Sequence, residues 1–251
     1  MKNISSIGKK CLLLSLLLML IASAQAQEGV ITVGLQFKPM VPMKFIIDEP
    51  IEQSDDDFTS EVAPRFGMNM GMVIRRGLNK MWSLETGINY VQRNFEMTTR
   101  HAALPKERTM HYRFISYEIP LQALVYVKLT DELYMNASGG MSVNFYPSNI
   151  ETFDSYRIDT TVFDFHQKTI RHSWIQLSLL ANYGFEYRTK DKGYFYIGVS
   201  YSRPFQSIAT SILSAQYNRN PARMDHPLKG DYLTLDLRYF FHEKPEKRIK
   251  K

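Results

Sequence analysis

Near the C-terminus runs YLTLDLRYFF, residues Tyr232 to Phe241, which alternates without interruption. Leu233, Leu235, Leu237, Tyr239 and Phe241 fall on one side, and Thr234, Asp236, Arg238 and Phe240 on the other. A period of two means a β-strand with two chemically different faces. Seven further segments after residue 26 read the same way. The eight expected strands span roughly 30–46, 62–75, 81–98, 110–128, 132–147, 171–188, 193–207 and 229–241. Pro39 and Pro42 remove ladder donors in the first and predict a bulged or bent end, and Pro120 predicts a bulge or break in the fourth.

The connections narrow the topology. RGLNK (Arg76–Lys80), LTD (Leu129–Asp131) and TKDK (Thr189–Lys192) are short, whereas 47–61, 99–109, 148–170 and 208–228 are long. Short and long alternate strictly. An up-and-down antiparallel barrel with tight turns at one end and long loops at the other has this layout, with both termini at the short-turn end. Apolar side chains run the full length of one face on all eight segments. They include Leu35, Phe37, Met70, Met72, Trp82, Leu84, Ile88, Ile119, Leu121, Leu177, Leu179, Ile197 and Val199. That is more apolar surface than one small barrel interior can take up. The other face is polar and glycine-rich, which suits a crowded lumen. Trp82, Tyr90, Phe145, Tyr187, Tyr194, Tyr239 and Phe241 cluster at segment ends, as interfacial girdles do. The expected fold is therefore all-β, an eight-stranded antiparallel up-and-down transmembrane β-barrel with lipid outside. A soluble lipid-binding barrel, inverted, is the alternative.

The first residues give the address. Lys2, Lys9 and Lys10 precede an apolar run, Cys11–Ile21, and then ASAQA (Ala22–Ala26). This reads as a secretory signal peptide over 1–26, too short in its apolar part to span a membrane as a helix. The barrel domain is expected over 27–241 and a basic periplasmic tail over 242–251. The only cysteine, Cys11, precedes the apolar run, so the mature chain is expected to lack both a disulfide and a lipid anchor. The formal charge of +6 comes from the two ends: residues 27–241 hold 23 basic and 23 acidic side chains. A nucleic-acid surface is not expected from that balance.

VGLQFKPMVP (Val33–Pro42), YEIPLQALVYVKL (Tyr117–Leu129) and the aromatic last strand resemble the PorT-like outer-membrane β-barrel proteins of Bacteroidetes. The resemblance implies an outer-membrane location and, for some members, a tie to protein secretion across that membrane. It implies fold and address rather than an activity.

On the polar face, Glu85, Glu118, Glu186 and Asp236 are expected to meet Arg65, Arg93, Arg188 and Arg238, with Arg75, Lys38 and Lys128 as further partners. The expected role is a structural charge network, because an eight-stranded barrel is just wide enough for side chains to fill. Asp236→Asn is accordingly expected to be tolerated, and Leu235→Arg to block assembly. His101, His111, His166, His172, His226 and His242 show no metal-ligand spacing and are read as solvated rim residues. His172 and Ser173 are adjacent and would point to opposite faces, which does not make a nucleophile–base pair. The acidic stretch Asp48–Glu61 is expected to be a solvated loop. No catalytic residue, cofactor or metal is expected. The reading is a non-enzymatic outer-membrane protein, structural or partner-binding, in contact with membrane lipid and with an envelope or secretion protein as its partner. An outer-membrane lipid-modifying enzyme is the alternative from another class.

Overall fold

The computed structural model describes residues 31–41, 51–55, 57–79, 81–158, 161–189, 192–217 and 220–241. The expected signal peptide and basic tail lie outside these residues, as does His242. Thirteen strands are present among the described residues: β1 (Ile31–Val41), β2 (Ile51–Asp55), β3 (Phe58–Gly77), β4 (Trp82–His101), β5 (Arg108–Lys128), β6 (Leu133–Phe145), β7 (Ile150–Ile158), β8 (Thr161–Arg171), β9 (Ile175–Arg188), β10 (Tyr194–Pro204), β11 (Ala209–Tyr217), β12 (Asn220–Leu228) and β13 (Tyr232–Phe240).

Eight of them, in the order β1-β13-β10-β9-β6-β5-β4-β3, close on themselves because β1 pairs with both β13 and β3. Every pairing in the ring is antiparallel, with the short turns, the start of β1 and the end of β13 at one end. A closed ring leaves no unpaired edge, which is what a membrane demands of a sheet. The outer faces carry the apolar side chains: Leu35, Leu121, Leu179, Ile197 and Val199 are all at least half exposed. The inner faces carry Gln36, Asn69, Glu85, Asn89, Gln122, Asn136, Asn182 and Asp236, all buried. In β13, Leu235 and Leu237 point out while Thr234, Asp236 and Arg238 point in. The exception in the expected girdle is Tyr194, which is partly buried and packs inward on Val73, Tyr196 and Phe240.

Above the ring the chemistry turns inside out. Along β4 the outward residues are Trp82, Leu84, Ile88 and Tyr90, then Gln92, Asn94, Glu96 and Thr98, while the inward ones pass from Glu85, Asn89 and Arg93 to Phe95 and Met97. β5 does the same across the register pairs Gln92↔Ile115 and Asn94↔Arg113, with Met110, Tyr112 and Phe114 buried inside. The strands run on without changing parity; it is the surroundings that change from lipid to water. The outward apolar runs Trp82–Tyr90 and Ile115–Val127 cover about 27 and 41 Å of strand. At a tilt of about 40° these give about 20 and 30 Å across the membrane, bracketing the usual band of about 25 Å.

The other wall of this upper storey is a separate sheet, β12-β11-β8-β7, made from the two longest connections. Its inner residues, among them Phe163, Phe165, Leu213, Ala215, Met224 and Leu228, meet Phe58, Val62, Phe95, Met97 and Phe114 in one buried apolar cluster. Ion pairing and a main-chain contact tie the seams: Arg108 to Asp154 at 2.8 Å between β5 and β7, and the Arg223 amide to Asp55 at 2.7 Å between β12 and β2. The expected loops 47–61, 148–170 and 208–228 are thus corrected in their described parts to strands of a folded body. The chain therefore has eight ring strands but not eight strands in all.

Two breaks in β-pairing have local causes. At Pro120 the β4–β5 ladder lapses between Thr86↔Leu121 and Asn89↔Glu118 without a register shift, since a missing donor opens the ladder but adds no residue. The Thr86 hydroxyl donates to the freed Pro120 carbonyl at 2.8 Å. In β3 the register does shift, between Arg65 and Met68, a bulge of the kind that turns following side chains to the opposite face.

Candidate functional site

Five strands supply one continuous line of charge inside the ring. Lys38 (β1) lies 3.1 Å from Asp236 (β13), and Asp236 accepts from Arg238 at 2.6 Å. Arg238 reaches across to Glu85 (β4) at 2.5 Å, and Arg75 (β3) holds the other oxygen of Glu85 at 3.0 Å. Arg75 also donates to Glu186 (β9), which pairs with Arg188 at 2.6 Å near the short-turn rim. Signs alternate along the whole line, so each buried carboxylate answers two cations. That is the condition under which buried charge is tolerable.

Aromatic rings fill the space between. Arg75 lies over Phe240 at 4.0 Å, Arg238 over Tyr196 at 4.7 Å and Arg188 over Tyr134 at 4.1 Å. The Tyr196 phenol crosses the sheet over Gly184 and Gly198, where any Cβ would overlap its hydroxyl, and donates to Asn182 at 2.7 Å. Here glycine is required by close approach. Asp236 accepts further bonds from Thr234 (2.6 Å), Ser200 (2.7 Å) and Asn182 (3.1 Å). The space left beside Lys38, Glu118 and Thr234 is about 10 Å³, one water at most.

Seven of the eight residues expected at the lumen lie there; Arg65 does not. The β3 bulge puts it outside, half exposed and paired with Glu96 above the lipid band. Lys128 stands exposed at the short-turn rim and pairs with Asp131 in the turn at 2.8 Å. Glu118 and Arg93 stand apart from the charge line. Glu118 accepts from Tyr232 (2.9 Å) and Asn89 (3.1 Å), while Arg93 sits over the Tyr232 ring at 4.9 Å.

The histidines are not uniformly solvated. His226 is fully buried in the upper core, its Nε2 at 2.9 Å from Ser60 Oγ, and burial pushes its pKa below the ordinary value. Burial likewise raises the pKa of the Tyr112 hydroxyl in the same core. His101 packs among Phe58, Phe163 and Tyr217, and His166 stacks on Phe153 with ring centroids 4.2 Å apart. His111 lies by Glu96, and His172 contacts Thr210 at 2.7 Å, whereas Ser173 accepts from the Ile175 amide instead. No cluster of metal-ligating side chains is found among the described residues.

The outward face of β12-β11-β8-β7 holds an open cleft of about 670 Å³ bordered by Phe153, Asp164, His166, Ser214, Gln216 and Arg223. Phe153 is 70% exposed there, in an otherwise polar surface. Nothing in the length or composition of 148–170 pointed to this cleft. The alternating pairs Phe163/Phe165 and Ser211/Leu213 were the signal available for the strands that build it.

A closed ring with lipid-facing apolar walls, a polar interior and short turns at one end defines an outer-membrane β-barrel. The chain belongs to the family described as outer membrane protein beta-barrel domain, whose family model matches residues 25–210. No curated protein matches the sequence. Among solved structures it is similar to the outer membrane protease OmpT from Escherichia coli, with 10% identity, 86% of this chain and 98% of that chain covered, and a TM-score of 0.36. The expectation of a non-enzymatic protein is corrected by this neighbour: a chain that aligns along most of this one is a protease, so the barrel alone is no ground for excluding catalysis. At that score the likeness gives this chain no activity either.

Proposed function

We propose that this outer-membrane barrel is a closed scaffold that holds a folded β-body outside the cell for a partner protein to dock on. The long-loop end would face out, following the usual placement of short turns in the periplasm. The observation that carries the reading is the upper core. Seventeen buried apolar residues fix two sheets against each other, so the cleft around Phe153 is displayed by a rigid body. The charge line supports the scaffold part, since it fills the lumen where a solute would pass. The PorT-like resemblance favours an envelope or secretion protein as the partner.

A lipid-modifying enzyme is less well supported. Ser173 and His172 engage different partners, and the Ser60–His226 pair is sealed in the core. The test uses a photocrosslinking residue at position 153 in native membranes, with position 111 on the other wall as reference. Capture of one envelope protein from 153 alone is expected. Equal, diffuse labelling from both sites would sink the docking reading, and steady single-channel conductance in a planar bilayer would sink the scaffold reading.

A further inference from the structure

The bulge in β3 sets two arginines in one row on the outer wall. Arg65 pairs in register with Asn94 of β4, and Asn94 pairs with Arg113 of β5. All three side chains point outward, and both arginines are exposed. Strands about 4.8 Å apart put the two arginines about 10 Å from each other, with one short amide between them. That gap lets both guanidinium groups close on one ligand. Without the extra residue of the bulge, Arg65 would keep the inward parity of Asn69 and Arg75.

The height of the row follows from β5. The outward apolar run there ends at Ile115, and Arg113 is the next outward residue, about 7 Å further along the strand. At a tilt of about 40° it stands about 5 Å above the lipid band. The head-group zone on each side of a bilayer is about 5–7 Å thick, so the row lies within it. Exposed Phe66 adjoins Arg65, and Ile115, Tyr117 and Ile119 continue down β5, so an apolar wall begins directly beneath the two cations.

The charges of the row are incompletely answered by the protein. Arg65 pairs with Glu96, which stands one row higher and also faces His111 at 3.4 Å. The Asn94 side chain accepts from Gln92 at 3.0 Å and donates to the Phe66 carbonyl at 2.6 Å. Arg113 meets neither an acid nor another acceptor among the described residues. Near this height on other strands, Arg171 is held by the Tyr146 carbonyl and Arg203 lies 3.9 Å from Asp231. Two arginines thus share one acid at the depth where lipid head groups carry phosphate, whose oxygens a guanidinium fork matches.

The geometry points to a binding site for a phosphate-bearing membrane lipid in the leaflet on the long-loop side. Its phosphate sits between Arg113 and Arg65, and its chains lie on Phe66, Ile115 and Tyr117. Free phosphate would use the arginines and leave the apolar wall idle, and an acidic protein segment would have to strip lipid from that wall. The site rests on the placement of the barrel in the membrane and not on the docking cleft.

The test uses full-length protein refolded in a neutral, phosphate-free detergent, with dioleoyl phosphatidic acid as the probe and native mass spectrometry to count retained lipid. Parallel arms use dioleoylglycerol, which has the same chains and no phosphate, and inorganic phosphate. Folding is checked by heat-modifiable gel migration. One retained phosphatidic acid is expected. Its affinity should fall about fivefold in Arg113→Gln and about twenty-five-fold in the Arg65→Gln/Arg113→Gln pair, the scale of one and two arginines at an anionic lipid surface. Glu96→Gln, which releases Arg65, should tighten binding. Arg100→Gln, at an exposed arginine higher on the same wall, should leave it unchanged. Affinity that is unchanged in the folded double variant, lowered as much in Arg100→Gln, weakened in Glu96→Gln, or matched by dioleoylglycerol or inorganic phosphate overturns the inference.

Discussion

The inside-out switch along β5 makes one strand face do opposite things at two heights, and two substitutions on that face test it. Leu121 and Thr109 have the same parity and both point outward, about 41 Å apart along the strand. Leu121 is 62% exposed at the middle of the run Ile115–Val127, so an arginine there stands at the bilayer midplane. A charged side chain at that depth on a barrel costs about 2–4 kcal/mol. Losing most of a leucine's transfer from water adds about 1.5 kcal/mol. Leu121→Arg should therefore cost about 4–5 kcal/mol, about a thousandfold in the folded-to-unfolded ratio. Thr109→Arg, in water on the upper storey, should stay within about 0.5 kcal/mol of wild type. The assay is urea titration of refolding into phospholipid vesicles, followed by heat-modifiable migration on cold gels. If Thr109→Arg lost as much stability as Leu121→Arg, or if Leu121→Arg kept the wild-type midpoint, the placement of lipid and water would be wrong.

Other outcomes follow from single sites. Asp236→Asn leaves Lys38 and Arg238 with one buried acid fewer, so it should cost about 3–5 kcal/mol in the same titration rather than be tolerated as the sequence suggested. Leu235→Arg should fail for a different reason, lipid exposure, by about 2–4 kcal/mol. Phe165→Ala removes a ring from the upper core at a cost of about 3–5 kcal/mol. Limited proteolysis should then cut within 146–174 or 205–231 while the ring keeps its heat-modifiable migration; loss of both together would mean the storeys are not separable. His226 has a lowered pKa in the fold, so the folded state takes up its proton less readily than the unfolded chain does. Its contribution is constant above about pH 6.5 and is lost as pH falls below that, so protease resistance of the upper storey should drop between pH 7 and 5. His226→Gln should flatten that dependence.

The ring was legible in the sequence because lipid and lumen impose one uniform alternation, and Leu233–Arg238 displays it in six residues. The upper storey was hidden by the same alternation. In β4 the apolar set passes from the even positions Trp82–Tyr90 to the odd positions Val91–Met97, and a reading that follows one parity stops where the apolar set changes sides. β8 and β12 carry histidine, aspartate and proline among short apolar pairs, which reads as loop until a facing sheet supplies the other half of the core. Arg65 was misplaced because a bulge has no residue signature of its own here; Pro64 next to it removes a donor but does not say that the register will shift. Alternation places the lumen acids and bases other than Arg65 on the inner face, yet their line of contacts depends on tilt and closure, which no single strand encodes.

The upper core draws its strands from both ends of the chain, Phe58 and Val62 from near the start and Met224 and Leu228 from near the finish. Ring strands separate these segments in the chain, so closing the core brings sequence-distant parts together on one side of the membrane. Once closed, its polar coat and bulk act as a rivet head on the far side of the sheet of lipid. Pulling the barrel back the way it came would first require that head to unfold, so the same residues that shape a surface also make insertion a one-way event.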